Sequence, residues 1–144
     1  MKKSVKFGKH SLENYQHRDR FGEWLGYQVK RVLPKERRAI TELKIRKDHL
    51  SPAGRVHGGA ISAFFDFASG AAVFTTLGPR DFCSTVELKV HYFKPLNLGD
   101  LLRADTKVVH RGKRLCTVQG FIFREGEKDS VAMCSATFNV VARD

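Results

Sequence analysis

The residues best suited to chemistry lie close together in the middle of the chain. The turn Ser51-Pro52-Ala53-Gly54-Arg55-Val56-His57-Gly58-Gly59 opens a long apolar run, and Asp66 follows after six intervening residues. The first turn of a helix leaves backbone N–H groups unpaired and partly positive, and Gly58 and Gly59 carry no side chains that would keep a ligand away from them. Such a helix start can hold a carbonyl oxygen while it becomes an oxyanion. Asp66 is the only ionisable group between Gly58 and Leu77. An acid in apolar surroundings is held toward its neutral form, which favours a functional role for it. Each residue also has a structural reading. A glycine pair lets a helix pack closely, an acid can cap a segment or pair with an arginine, and His57 is expected to hydrogen-bond the loop rather than react.

These groups need a rigid support. The run GGAISAFFDFASGAAVFTTL is too long for a strand and apolar on almost every side, so it reads as a buried helix from Gly58 to about Leu77. Twenty helical residues would span about 30 Å, the thickness of a bilayer, but three glycines, several Ser and Thr and the central Asp66 argue against a membrane span. Residues 27–33 and 38–47 read as a hairpin around Pro34-Lys35, with Ala39, Thr41, Leu43 and Ile45 on one face and Ile40, Glu42, Lys44 and Arg46 on the wet one. Beyond the turn at Gly78-Pro79-Arg80-Asp81, Val86, Leu88, Val90 and Tyr92 alternate with Glu87, Lys89 and His91. Three further strands, 101–110, 115–124 and 131–141, are broken by Gly112-Lys113 and Gly126-Glu127. Ser11 to about Phe21 is expected to form a short helix under a Ser11 cap.

One helix that is apolar all round, with six strands to cover it, implies an α+β layout in which an antiparallel sheet curls about the helix. A single sheet cannot cover every side. The uncovered side and the sheet edges predict self-association, most simply a two-fold dimer that extends the sheet.

With 144 residues, 42% hydrophobic and 28% charged, the chain has the composition of one globular domain. A basic extension over residues 1–20 precedes a domain over 21–144. Twenty-six Lys and Arg against fifteen Asp and Glu give +11, a field that attracts nucleic acid, anionic membranes or phosphate-bearing ligands. No zinc finger, RNP-like run or recognition helix accompanies the charge, so nucleic acid is not the expected partner. Cys83, Cys116 and Cys134 lie far apart without a CxxC pair, which indicates neither a disulfide framework nor a zinc site. The basic N-terminus never reaches an apolar run, so it does not read as a signal peptide, and a cytoplasmic location is expected.

Taken together, Gly54-Arg55-Val56-His57-Gly58-Gly59, Asp66, the strand Thr85-Val86-Glu87-Leu88-Lys89-Val90-His91-Tyr92-Phe93-Lys94-Pro95 and the hairpin Arg111-Gly112-Lys113-Arg114 resemble the hotdog-fold acyl-CoA thioesterases, most of all the PaaI-type (phenylacetyl-CoA thioesterase-like) branch. The resemblance covers roughly residues 21 to 142. It implies hydrolysis of acyl-CoA thioesters to a free acid and coenzyme A, with no metal or other cofactor, in a homodimer or a dimer of dimers. By the same resemblance Asp66 is the general base or nucleophile, the Gly58 N–H polarises the thioester carbonyl and Thr85 places the attacking water. Asp66 and Thr85 come from one subunit and the Gly58 loop from its partner. Many relatives have Asn where this chain has Ser51, a shorter side chain with a single donor. His57 and Gly59 are expected at the substrate, and Arg111, Lys113 and Arg114 at the phosphates of coenzyme A. The competing class is an acyl-CoA-binding hotdog protein without catalysis. A hotdog dehydratase, which pairs an acid with a catalytic His at other spacings, fits less well.

Overall fold

The computed structural model describes residues 19–142 and, before them, the backbone of two short strands, β1 (Lys6–Phe7) and β2 (His10–Ser11). The remaining elements are α1 (Arg20–Leu25), β3 (Gln28–Leu33), β4 (Arg38–Lys44), α2 (Gly58–Phe74), β5 (Asp81–Tyr92), β6 (Leu101–Arg111), β7 (Leu115–Arg124) and β8 (Ser130–Ala142). Ser11 is thus part of a strand and not a helix cap, and residues 12–18 of the expected helix lie outside the described residues. The helix in this region is α1, capped by the Asp19 carboxylate, which accepts from the Gly22 N–H at 3.1 Å.

Strands β3 to β8 form one antiparallel sheet in the order β3-β4-β6-β7-β8-β5. α2 lies across it. Ile61, Phe64, Phe65, Ala68, Ala71 and Ala72 recur at helical spacing and are fully buried against the strands. Burying Phe64 and Phe65 contributes about 1.5–3 kcal/mol each. Gly120 of β7 makes the approach possible: a Cβ there would stand 2.9 Å from Cys134 Sγ and 3.3 Å from the Phe65 ring. The helix ends at Phe74, short of Leu77, because the hydroxyls of Thr75 and Thr76 turn back to the carbonyls of Ala72 and Val73, both at 2.7 Å. Among the described residues no helix is long and apolar enough to cross a membrane.

The sheet covers only one side of α2. Ser62, Ala63, Asp66, Phe67 and Gly70 are half-buried on the other. This corrects the picture of an acid sealed in an apolar interior: Asp66 sits on the side of the helix that the sheet leaves open.

Register shifts interrupt the β3–β4, β5–β8, β6–β7 and β7–β8 pairings, and the first two overturn expected faces. Ile40, expected on the wet face, is buried beside the bulge of β3 between Val29 and Arg31. In β5 the register shifts between Thr85 and Glu87, so Val86 is an extra residue, 60% exposed, rather than the first of the inward set. A bulge reverses the parity of the strand on its far side. Thr85 and Tyr92, seven residues apart, would point to opposite faces of a regular strand; across the bulge both reach α2.

Candidate active site

α2 begins with His57 as its cap, and the Nδ1 of His57 accepts the Gly59 N–H at 2.8 Å. A side chain on Gly59 would collide with that ring, since its Cβ would lie 2.9 Å from Nδ1. His57 therefore has the loop-holding role expected of it. Its backbone N–H donates to the His49 carbonyl at 2.8 Å, which ties the turn to the segment before it. At the other end of the same peptide unit the Tyr92 hydroxyl donates to the Gly58 carbonyl at 2.8 Å and lies 2.5 Å from Ser62 Oγ. The Gly58–Gly59 peptide is held at both its N–H and its C=O, while the Gly58 N–H has no protein acceptor among the described residues. That donor is available to a ligand.

Asp66 lies two turns further along. The Thr85 hydroxyl of β5 donates to its Oδ1 at 2.6 Å, and no cation pairs with it among the described residues. One carboxylate oxygen thus accepts a hydroxyl, and the other has no hydrogen-bond donor among the described residues. Cys83, two residues before Thr85, does not compete as a nucleophile. Burial, with smaller contributions from Cys116 and Asp66, pushes its thiol up to about 11, so it stays protonated near neutrality.

The sequence-derived residues separate into three places. Asp66 and Thr85 come together. Gly58, eight residues before Asp66, is about 12 Å away along the helix axis, too far for both to touch one carbonyl group within a single chain. Arg111 lies beyond the opposite end of α2, where its Nε donates to Thr76 Oγ1 at 3.1 Å, and Lys113 and Arg114 follow it in the exposed β6–β7 turn. Ser51 is built into the turn through its backbone, donating to the Arg55 carbonyl at 2.7 Å and accepting from Gly54 at 2.9 Å. Tyr92 and Ser62 were missed in the sequence; only the odd spacing of Tyr92 from Thr85, together with a bulge, could have revealed their role.

Two cavities flank the glycine pair. One, of about 350 Å³, opens at Gly58 between Tyr92, Arg55 and Lys94. The other, of about 280 Å³, opens at His57 and Gly59 toward α1. Among the described residues no three His, Cys, Asp or Glu side chains converge as a metal site would.

A central helix wrapped on one side by a six-stranded antiparallel sheet, with a glycine-rich helix start, is the hotdog architecture. Residues 53–131 match the family described as the thioesterase superfamily, and the chain belongs to that superfamily. Its structural neighbours include PaaI-type proteins. A mutant of the phenylacetic acid degradation protein PaaI from Thermus thermophilus is 30% identical with a TM-score of 0.74, over 84% of this chain and 98% of that one. A candidate thioesterase, a phenylacetic acid degradation-related protein from Ralstonia eutropha JMP134, is 26% identical with a TM-score of 0.80, over 89% of this chain and 95% of that one. A candidate esterase of Caenorhabditis elegans is 30% identical over 76 residues, 53% of this chain; the chain spans 44% of that relative's length.

Proposed function

We propose that the protein hydrolyses acyl-CoA thioesters, using Asp66 of one subunit and the Gly58 amide of another. The observation that carries this reading is the Thr85–Asp66 hydrogen bond of 2.6 Å on the open side of α2. An acid kept only as a structural charge partner would face a cation or a backbone donor; this one faces a hydroxyl and open space. Because Asp66 and Gly58 are too far apart within one chain, a two-fold pairing across this open side, in which the unpaired edge of β5 extends the sheet, would bring each to the other's partner.

In this scheme water is held by Asp66 and Thr85. Its oxygen attacks the thioester carbon as Asp66 takes a proton, and the resulting oxyanion is held by the Gly58 N–H. Collapse of the intermediate expels the thiolate, which receives that proton, and the acid and the thiol are released. Attack by Asp66 itself through an anhydride would use the same groups. The Arg55 and Lys94 cations at the Gly58 cavity suit the phosphate-bearing arm of coenzyme A, as do Arg111, Lys113 and Arg114 from a partner subunit. A hypothetical thioesterase protein of this fold from Streptococcus pneumoniae TIGR4, 22% identical, has been solved with coenzyme A. Thiol release from a panel of CoA thioesters by wild type, lost in Asp66→Asn, tests the proposal. Undiminished hydrolysis by the variant would refute it, and binding without turnover by wild type would favour the non-catalytic reading.

A further inference from the structure

The cavity on the Gly59 side of the glycine pair is a built apolar site with no occupant assigned to it. Its walls include Phe21, Trp24 and Leu25 of α1 facing Ala60 and Ala63 of α2, and it encloses about 280 Å³. Two of its largest side chains are left in the open: Phe21 is 55% and Trp24 48% exposed. The part of each ring left in water is apolar surface, and a ligand that covers it gains by removing that surface from water.

The wall is also fixed in place. Phe21 stacks on Trp24 with ring centroids 6.1 Å apart and leans on Phe67 at 5.6 Å, and Phe67 stacks on Tyr27 at 4.4 Å. Helix α1 has only six residues, yet its C-terminal end is tied down from outside. The Arg46 guanidinium donates to the carbonyls of Trp24 and Leu25, the latter at 2.7 Å, and lies 5.2 Å from the centre of the Trp24 ring. His49, itself buried, places Nε2 2.9 Å from the Leu25 carbonyl. Its own carbonyl holds His57, the cap of α2, so the aromatic wall and the glycine pair are fastened to one segment.

We propose that this cavity receives the acyl group of the thioester and selects apolar acyl groups longer than acetyl, with Trp24 and Ala63 as specificity-determining residues. The assignment rests on the thioester reading for its location: the scissile carbonyl sits at the glycine pair, the polar thiol arm leaves through the cavity of Arg55 and Lys94, and the acyl group turns the other way, toward Gly59. The two cavities share no wall residue, so the substrate lies across the helix start with one half on each side.

Trp24 is the only tryptophan in the chain, so its emission reports on this cavity alone. The probe is S-octyl-coenzyme A, a thioether that cannot be hydrolysed, compared with coenzyme A. Saturating S-octyl-coenzyme A is expected to shift Trp24 emission to the blue, while coenzyme A leaves it in place. Ala63→Leu, which fills the cavity from the opposite wall, should weaken S-octyl-coenzyme A binding about tenfold and change coenzyme A binding less than about twofold. Trp24→Ala should lower the ratio of kcat/KM for octanoyl-CoA over acetyl-CoA by about tenfold. An unmoved emission at saturation, or equal effects of Ala63→Leu on both ligands, would overturn the assignment. Thiol release from octanoyl-CoA is read separately: its absence together with the spectral shift would leave the pocket standing and remove the reaction.

Discussion

Thr85 on an edge strand and Asp66 on the central helix meet through a single hydrogen bond of 2.6 Å, with the hydroxyl donating and the carboxylate accepting. Val86, an extra residue in β5, lets Thr85 make this contact while Tyr92, seven residues on, also reaches the central helix. Thr85→Val keeps the shape and removes the donor. A lone hydrogen bond to a charged group is worth about 1.5–3 kcal/mol, so kcat on an accepted CoA thioester should fall about ten- to a hundredfold. Thr85→Ser should restore most of it, because it restores the hydroxyl. Steady-state kinetics on the three proteins checks this.

The Gly58 amide can be deleted without deleting the helix. Gly58 is the first helical residue, where proline is tolerated, and His57 before it has φ −65° and ψ 134°, the extended conformation that a following proline requires. A Cβ at Gly58 would lie 3.5 Å from the Tyr92 ring, an ordinary contact. Gly58→Pro should therefore melt close to wild type while kcat drops about 10²- to 10³-fold. Gly59→Ala should do the reverse damage, lowering the melting temperature because its methyl group displaces the His57 cap.

Acid should loosen the support of α1. Burial first, and then the nearby Arg46, hold His49 below the usual histidine range, and its Nδ1 already accepts from the Arg46 backbone N–H at 3.1 Å. A histidine with a depressed folded pKa contributes stability that is complete above its unfolded value of about 6.5 and is lost as pH falls below it. The melting temperature should drop between pH 7.5 and pH 5 in wild type, and His49→Gln should flatten that part of the curve.

Thiol chemistry should be silent. Burial pushes both Cys83 and Cys134 up to about 11, so neither is a thiolate at neutral pH. Cys83→Ser should retain turnover within about threefold, and a larger loss would show that the thiol, two residues from Thr85, takes part in the reaction.

Much of this architecture was legible in the residues. The run from Gly58 is apolar over more turns than any strand needs, and β6, β7 and β8 alternate over most of their length between glycine turns, so helix and sheet follow from periodicity. The bulge did not, because Val86 is itself apolar and continues a period of two into Leu88, Val90 and Tyr92; pairing with β8, not local pattern, sets that register. Nor did α1. Asp19 before it and Gly26 after it are capping residues, but six residues with a glycine among them are too few to show a helical period, and what fixes them, Arg46 and His49, lies about twenty residues on, a distance composition cannot see. Gly58 and Asp66 stood out by residue type, and their eight-residue spacing on one helix already put them two turns apart.

That separation gives the most direct test of the shared site. Gly58→Pro and Asp66→Asn should each be nearly inactive alone. Unfolded, mixed and refolded together in equal amounts, they should form mixed dimers in which one site has both an intact amide and an intact carboxylate, restoring about a quarter of wild-type turnover. A mixture no more active than its components would contradict a site built from two chains.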